Sequence, residues 1–254
     1  VTQTPNEQLD HLISSWEEQQ DAYVNRRADR FEIVLDALAY ARPGVRSVLD
    51  IGGGLGSFSK LILRRFPDAQ VVTVDHDPAL LRLAAHNLAE FGSRSVIVDA
   101  DLRDPAWPRS LAGVVPDAVV SSTALHWLSS AEVVSLYALL GALIAADGVF
   151  FNADHLSHDV SGPFFRDVSI ADDTAQQRRG FDAGVPDWDR WWNQVRSEPA
   201  FVDLVAERDR RFSDAPDNLD LTPDFHREAL RVAGFAETGT LWQHFDDYVV
   251  YAVR

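Results

Sequence analysis

The chain has 254 residues, 46% of them hydrophobic, and a formal net charge of −16, so it can bury one sizeable core and repels polyanions over most of its surface. Nucleic acid and anionic membrane are disfavoured as partners, because the close basic pairs Arg26-Arg27, Arg64-Arg65, Arg178-Arg179 and Arg210-Arg211 are each diluted by nearby acids. Cysteine is absent, which removes disulfides, thiolate metal sites and cysteine nucleophiles. No apolar run reaches the length of a membrane span and no charged-then-apolar leader precedes the first helix, so the expectation is a soluble, cytoplasmic protein.

In chain order, residues 5 to 40 read as helical. Phe31, Val34, Leu35 and Leu38 recur at i, i+3, i+4 and i+7, the stripe of a helix packed on a sheet. Ahead of them, Trp16, Gln19, Gln20, Tyr23 and Arg27 mix polar and aromatic groups. That mixture suits a helix over a ligand mouth, or equally a surface helix with a Trp/Tyr anchor. The run Val48-Leu49-Asp50-Ile51 then enters Gly52-Gly53-Gly54-Leu55-Gly56, an apolar strand breaking into glycines before a helix. Glycines there can take positive φ cheaply and let backbone N–H groups approach an electron-rich ligand. A dinucleotide fingerprint, G-x-G-x-x-G, wants glycine at position 57, where the chain has Ser57.

Val71 to Val74 is a β-branched run too short for a helix, and it ends in Asp75-His76-Asp77-Pro78. Asp75 is placed to accept two ribose hydroxyls or to serve as a helix N-terminal acid; Asp77 before Pro78 is the better cap. Ser95 to Val98 leads into Asp99-Ala100-Asp101-Leu102, so three successive strand ends carry a carboxylate. Strands and helices go on alternating, with Ala118 to Ser122 as strand four and Gly148 to Phe151 as strand five, which argues for a parallel sheet covered on both faces. Thr222-Pro223-Asp224 opens a last helix that stops at Gly234. The strands Phe235 to Trp242 and Phe245 to Val253 follow, close enough to form an antiparallel pair.

The run Asp50 to Gly56 resembles the first motif of the class I S-adenosylmethionine (SAM)-dependent methyltransferases, roughly D/E-x-G-x-G-x-G. The segment Ala124-Leu125-His126-Trp127 resembles the group of small-molecule methylating enzymes that includes trans-aconitate methyltransferase. The resemblance covers about residues 45 to 155 and 222 to 254. It implies an α/β fold: a Rossmann-like, seven-stranded, mostly parallel sheet with one antiparallel strand, helices on both faces and a helical lid. It also implies SAM as cofactor, S-adenosylhomocysteine as product, and no metal. Asp50, Gly52, Gly53, Gly54, Gly56, Asp75, His76 and Ser121 are then cofactor residues. Asp101 would accept the adenine amino group beside the Leu102 backbone, and Arg27 would pair with the cofactor carboxylate.

The expected organisation is a helical cap over 1–40, a cofactor-binding core over 41–155, an insertion over 156–220 forming a lid or substrate pocket, and 221–254 completing the sheet. The insertion is too long for an ordinary connection. Its Trp188, Trp191 and Trp192, with Tyr23 and Trp127, are candidate substrate-binding rings; a small core of the insertion's own or a dimer interface are the other readings of the tryptophans. His126, just past strand four, is the first candidate catalytic base and His155 the second, each alternatively a packing or loop histidine. An Asn/Asp-Pro-Pro-aromatic signature of amine methylation is missing, as is an acid at the end of strand four of the kind metal-dependent catechol enzymes use. The function expected is methyl transfer to a small molecule, oxygen being the favoured acceptor. A non-catalytic SAM-binding or S-adenosylhomocysteine-binding protein and an NAD-dependent oxidoreductase are the alternatives, and the oligomeric state is open, a homodimer included.

Overall fold

The structure, a computed structural model, describes residues 4–157, 163–213 and 221–254; the parts of the expected cap and insertion at 1–3, 158–162 and 214–220 lie outside them. In chain order the elements are α1 (Pro5–Tyr23), α2 (Arg27–Ala41), β1 (Ser47–Ile51), α3 (Ser57–Arg65), β2 (Gln70–Asp75), α4 (Pro78–Asn87), β3 (Ser95–Asp99), β4 (Ala118–Ser122), α5 (Ser130–Leu143), β5 (Val149–His155), α6 (Pro163–Asp182), α7 (Trp188–Ser197), α8 (Val202–Arg211), α9 (Pro223–Val232), β6 (Glu237–His244) and β7 (Asp247–Val253).

The strands form one sheet in the order β3-β2-β1-β4-β5-β7-β6. β1 to β5 pair in parallel, and β7 runs antiparallel to both neighbours, so it is the single reversed member of the expected sheet. The chain winds outward from β1 in one direction and then from β4 in the other, so β1 and β4 flank the switch point where such sheets bind ligands. Strand five is longer than expected and runs to His155. The stretch read as helical, 5 to 40, is two helices, broken at Arg26, whose φ is +52°.

Alternation along the buried strands sends side chains to two apolar layers. Leu49, Val72, Val119 and Phe150 meet α5 and α9, whereas Val48, Val71, Val120 and Phe151 meet α2 and α3. The predicted stripe Phe31, Val34, Leu35 and Leu38 is buried in the second layer. In a third cluster, Leu9, Leu12 and Trp16 of α1 share one core with Trp191, Trp192 and Val195 of α7, Val205 of α8, and Leu80 and Leu83 of α4. Cap and insertion are thus packed as one helical layer against the edge of the core.

Candidate functional site

β1 delivers the glycine turn to the switch point. Gly52, Gly54 and Gly56 have φ of +66°, +55° and +81°, values that a β-carbon makes costly. A Cβ on Gly52 would lie 2.3 Å from that of Ala124, and one on Gly56 would lie 2.6 Å from Leu88 Cδ1, whereas above Gly54 no protein atom comes within 3.7 Å. A Cβ on Gly53 would lie 2.6 Å from Thr73 Cγ2, so only Gly54 leaves room for ordinary contact, and the turn touches the loop that carries His126.

Asp50 lies beneath this turn, 1% exposed. It accepts hydrogen bonds from the Ser59 amide (3.1 Å) and hydroxyl (2.7 Å); burial pushes its carboxyl up to about 6, against the pull of those bonds. It fastens α3 to β1 and braces the turn from behind. Ser121 is wholly buried, and its hydroxyl donates to the Ile51 carbonyl at 3.0 Å, stitching β4 to β1.

Asp75, at the carboxyl end of β2, is only half-buried. Its Oδ2 accepts from the Gly54 amide at 2.7 Å, and its Oδ1 from the His76 and Asp77 amides at 2.7 and 2.8 Å. Desolvation raises its pKa while the three N–H groups lower it. Each oxygen keeps acceptor capacity, so the carboxylate is fixed beside Gly54 and can still receive hydroxyls. Asp77 is the N-cap of α4, as expected, accepting from the Ala79 and Leu80 amides. It also pairs at 2.7 Å with Arg208 of α8, whose guanidinium lies 3.8 Å from the centre of the Trp192 ring.

The ends of β2 and β3 open into a cavity of about 820 Å³ whose lining includes His76, Asp99, Asp101, Trp107 and Arg211. Asp101 is gripped through both oxygens by Arg103, and Asp99 by Arg211 at 2.7 Å. Burial acts upward on Asp101, yet the Arg103 hydrogen bonds prevail and its pKa falls. His76 stands 3.7 Å from each of the two carboxylates. Leu102 is half-buried against the α5-side core. Arg27 pairs with Glu17 (2.7 Å) and Asp21 (3.1 Å), and Glu17 also accepts from the Ser57 hydroxyl, so the guanidinium is tied to the helix that begins at the glycine turn.

Past β4, Thr123 takes φ +49° and a short helical turn, Leu125–Trp127, presents His126. Its Nδ1 lies 2.6 Å from Asp154 Oδ1, its amide donates to Asp154 Oδ2 at 3.2 Å, and Asp154 is fully buried at the end of β5. Nε2 has no partner among the described residues. Burial pushes the imidazole pKa down, but the charge and hydrogen bond of Asp154 push it further up, for a net rise; the Asp154 carboxyl falls. His155 meets Asp247 at 3.1 Å, and Asp247 meets the fully buried Arg30 at 3.0 Å. Burial first, then Arg30, lowers the pKa of His155. The two candidate histidines therefore stand side by side, each on its own aspartate, with affinities for the proton driven apart. Behind them the Tyr137 hydroxyl meets His226 Nδ1 at 2.6 Å.

The aromatic candidates divide. Trp191 and Trp192 are 0% and 2% exposed and fill the α1/α7 core, where their rings pack on Leu9, Leu12 and Trp16. Trp188 packs on Trp16 and Trp192, and its amide donates to the Tyr23 hydroxyl at 3.1 Å. Trp127 is 46% exposed beside His126. Sequence reasoning missed Asp154, Asp247, Arg30 and Glu17. Asp154 had a usable signal, since it ends a strand at the same edge as Asp75; the others are joined to the site only by folding.

Residues 48–148 match a family model described as a methyltransferase domain. That stretch, less than half of the chain, is similar to a methyltransferase domain. Among curated relatives, the trans-aconitate 2-methyltransferase of Acidovorax ebreus is 28% identical over 144 residues, 54% of this chain and 52% of the relative. The chain thus spans about half the length of the curated relatives it matches. Two similar solved structures are an O-methyltransferase family protein from Burkholderia thailandensis (TM-score 0.55, 16% identity, 98% of this chain and 70% of that one) and CalS10, an amino pentose methyltransferase from Micromonospora echinaspora (TM-score 0.56, 20% identity, 89% and 90%). At that identity the likeness is one of fold alone. No helix among the described residues is long and apolar enough to cross a membrane, and no group of three or more His, Cys, Asp or Glu there is arranged to hold a metal ion. The site fits a nucleoside-bearing sulfonium donor on two observations: glycines of positive φ at the end of β1, and a fixed carboxylate, Asp75, with acceptor capacity beside Gly54.

Proposed function

We propose that the chain is a SAM-dependent methyltransferase acting on a hydroxyl of a small molecule, with His126 as general base and Asp154 as the residue that positions it. The observation that carries this reading is the 2.6 Å pair of His126 Nδ1 with a fully buried Asp154, at the strand end next to the glycine turn, with Nε2 unpartnered among the described residues. SAM, when bound, supplies a methyl group made electrophilic by its sulfonium. Asp75 and the glycine turn would hold its ribose and methionine portion, and the cavity beside Asp101 and His76 would take the adenine, with Arg103 competing for Asp101.

The chemistry assigned to the chain follows from the dyad. Asp154 accepts from Nδ1–H, which leaves the Nε2 lone pair directed outward to take the acceptor's hydroxyl proton as the oxygen attacks. The imidazolium that results is stabilised by a carboxylate that burial cannot neutralise while His126 faces it. His155, held neutral by burial and Arg30, lines the same edge as a positioning donor.

The test is calorimetry with SAM, S-adenosylhomocysteine and NAD, followed by turnover of hydroxylated acceptors by wild type, Asp75→Ala and His126→Ala. Micromolar binding of the first two without NAD, lost in a folded Asp75→Ala, supports the cofactor assignment. His126→Ala should lower kcat far more than binding. NAD binding alone would overturn the family-based donor, and tight SAM binding with no acceptor turned over would favour a non-catalytic SAM-binding role.

A further inference from the structure

Helix α6 packs on the β6–β7 turn and on the end of α1, and its contacts fix which face looks inward. Phe165 packs on Phe245 of the β6–β7 turn (6.1 Å between ring centres), Asp172 meets His244 of the same turn at 3.0 Å, and Asn25 donates to Asp172 (3.1 Å) and Asp173 (2.8 Å). Further along, Gln176 donates to the Asp21 carbonyl at 2.7 Å. These positions follow the spacing of one helix face. Ser169 stands on that face, bracketed by Phe165 and Asp172, and so it is aimed at the β6–β7 turn. It is 3% exposed and its hydroxyl has no partner among the described residues. A buried hydroxyl left unpaired is rare in a folded protein and calls for a group that completes it.

The charges around it are out of balance. Asp247 has Arg30 and Asp172 has His244. Asp173 is held only by the neutral Asn25 amide, and Asp246 makes no ion pair among the described residues. Burial, then Asp246 and Asp172, push the Asp173 carboxyl up to about 6, the mark of like charges crowded together. Asp246 also acts on His155, so this excess of negative charge borders the reacting end of the site.

We infer that Ser169, Asp173 and Asp246 form a subsite for a cationic amine carried by the acceptor, so that the substrate class is a hydroxylated amine and not a carboxylic acid. The inference rests on the acceptor-side reading above. An ammonium has three donors and a positive charge, which suits one free hydroxyl and two unpaired carboxylates; a carboxylate acceptor meets repulsion at the same place. The trans-aconitate enzymes, named for an acidic substrate, would then differ from this chain in the charge of this corner.

The test is equilibrium binding to S-adenosylhomocysteine-loaded protein by calorimetry, with matched probes: tyramine against 4-hydroxyphenylacetate, and 3-hydroxybenzylamine against 3-hydroxybenzoate. At least one amine should bind tenfold or more tighter than its acid partner. Asp173→Asn and Asp246→Asn should each lower that affinity at least tenfold and melt no lower than wild type, because each removes a like charge; Ser169→Ala should lower it about threefold to tenfold. Acids binding as well as amines, no amine bound at millimolar concentration, or amine affinity unchanged in the variants would overturn the subsite. Binding is read without methyl transfer, so intact amine binding with inactive enzyme would count against the proposed catalysis alone.

Discussion

Asp154→Asn is the sharpest perturbation of the proposed dyad. The amide has the shape of the carboxylate and can still accept from Nδ1–H, so the fold and the His126 contact persist while one buried charge disappears. In the wild type, burial drives the His126 pKa down and the charge and hydrogen bond of Asp154 drive it up past its ordinary value of 6.5. The base works only when neutral, so the acidic limb of kcat/KM lies above the ordinary histidine value. Removing the charge leaves burial and Arg30, both acting downward, and the limb should move below that value. The 2.6 Å contact to a fully buried carboxylate is a charge-assisted bond, and its loss, with the freedom of the ring to change tautomer, should lower kcat by about 10²–10⁴-fold, or about 3–5 kcal/mol of activation free energy. Initial rates from pH 5 to 9 at saturating SAM would read both quantities. A variant that turns over at the wild-type rate with an unmoved limb would refute the general-base role of His126. A parallel loss of binding and folding would recast the pair as structural.

Two further outcomes follow from burial. Trp191→Ala empties the centre of the α1/α7 core, where the ring is fully buried and its Nε1–H donates to the Leu12 carbonyl at 3.0 Å, so denaturant unfolding should show a loss of about 3–5 kcal/mol; a loss below 1 kcal/mol would restore the ring to the substrate wall. Asp50 holds its proton up to about pH 6 when folded, against 3.8 as its ordinary value. The folded state therefore binds more protons than the unfolded state between those values, and stability falls as pH rises through them, by about 3 kcal/mol at most. Asp50→Asn should lack this loss and gain on wild type from pH 4 to pH 7 in urea titrations; a gap between the two proteins that does not change with pH would show that the carboxylate is no harder to ionise when folded.

Much of the fold was legible because its signals are local. The β-branched runs, the glycines after β1 and the proline and glycine that bracket α9 act through the backbone of their own residues, and they placed seven strands in the observed order of directions. Asp75 was legible for the same reason, since a carboxylate at a strand end faces the ligand edge of any such sheet. The tryptophans were not. Hydrophobicity drives burial without saying against what, and Trp191 and Trp192 found Leu9, Leu12 and Trp16 from the far end of the chain.

Asp50 and Ser121 show the reverse case: a motif position is visible in sequence, but whether its oxygen reaches a ligand or a neighbouring strand depends on which side of the turn it lies. Sequence by itself determined the parallel sheet, the glycine turn and the carboxylates along the strand ends, because periodicity and backbone preference are encoded within a few residues. Only the tertiary structure decided that His126 belongs to Asp154, that Arg30 belongs to Asp247 across 217 positions, and that Asp172 of α6 meets His244 of the β6–β7 turn. Those pairings are set by long-range packing, and hydrogen bonds and Coulomb forces between side chains act on distance in space, to which separation along the chain is no guide.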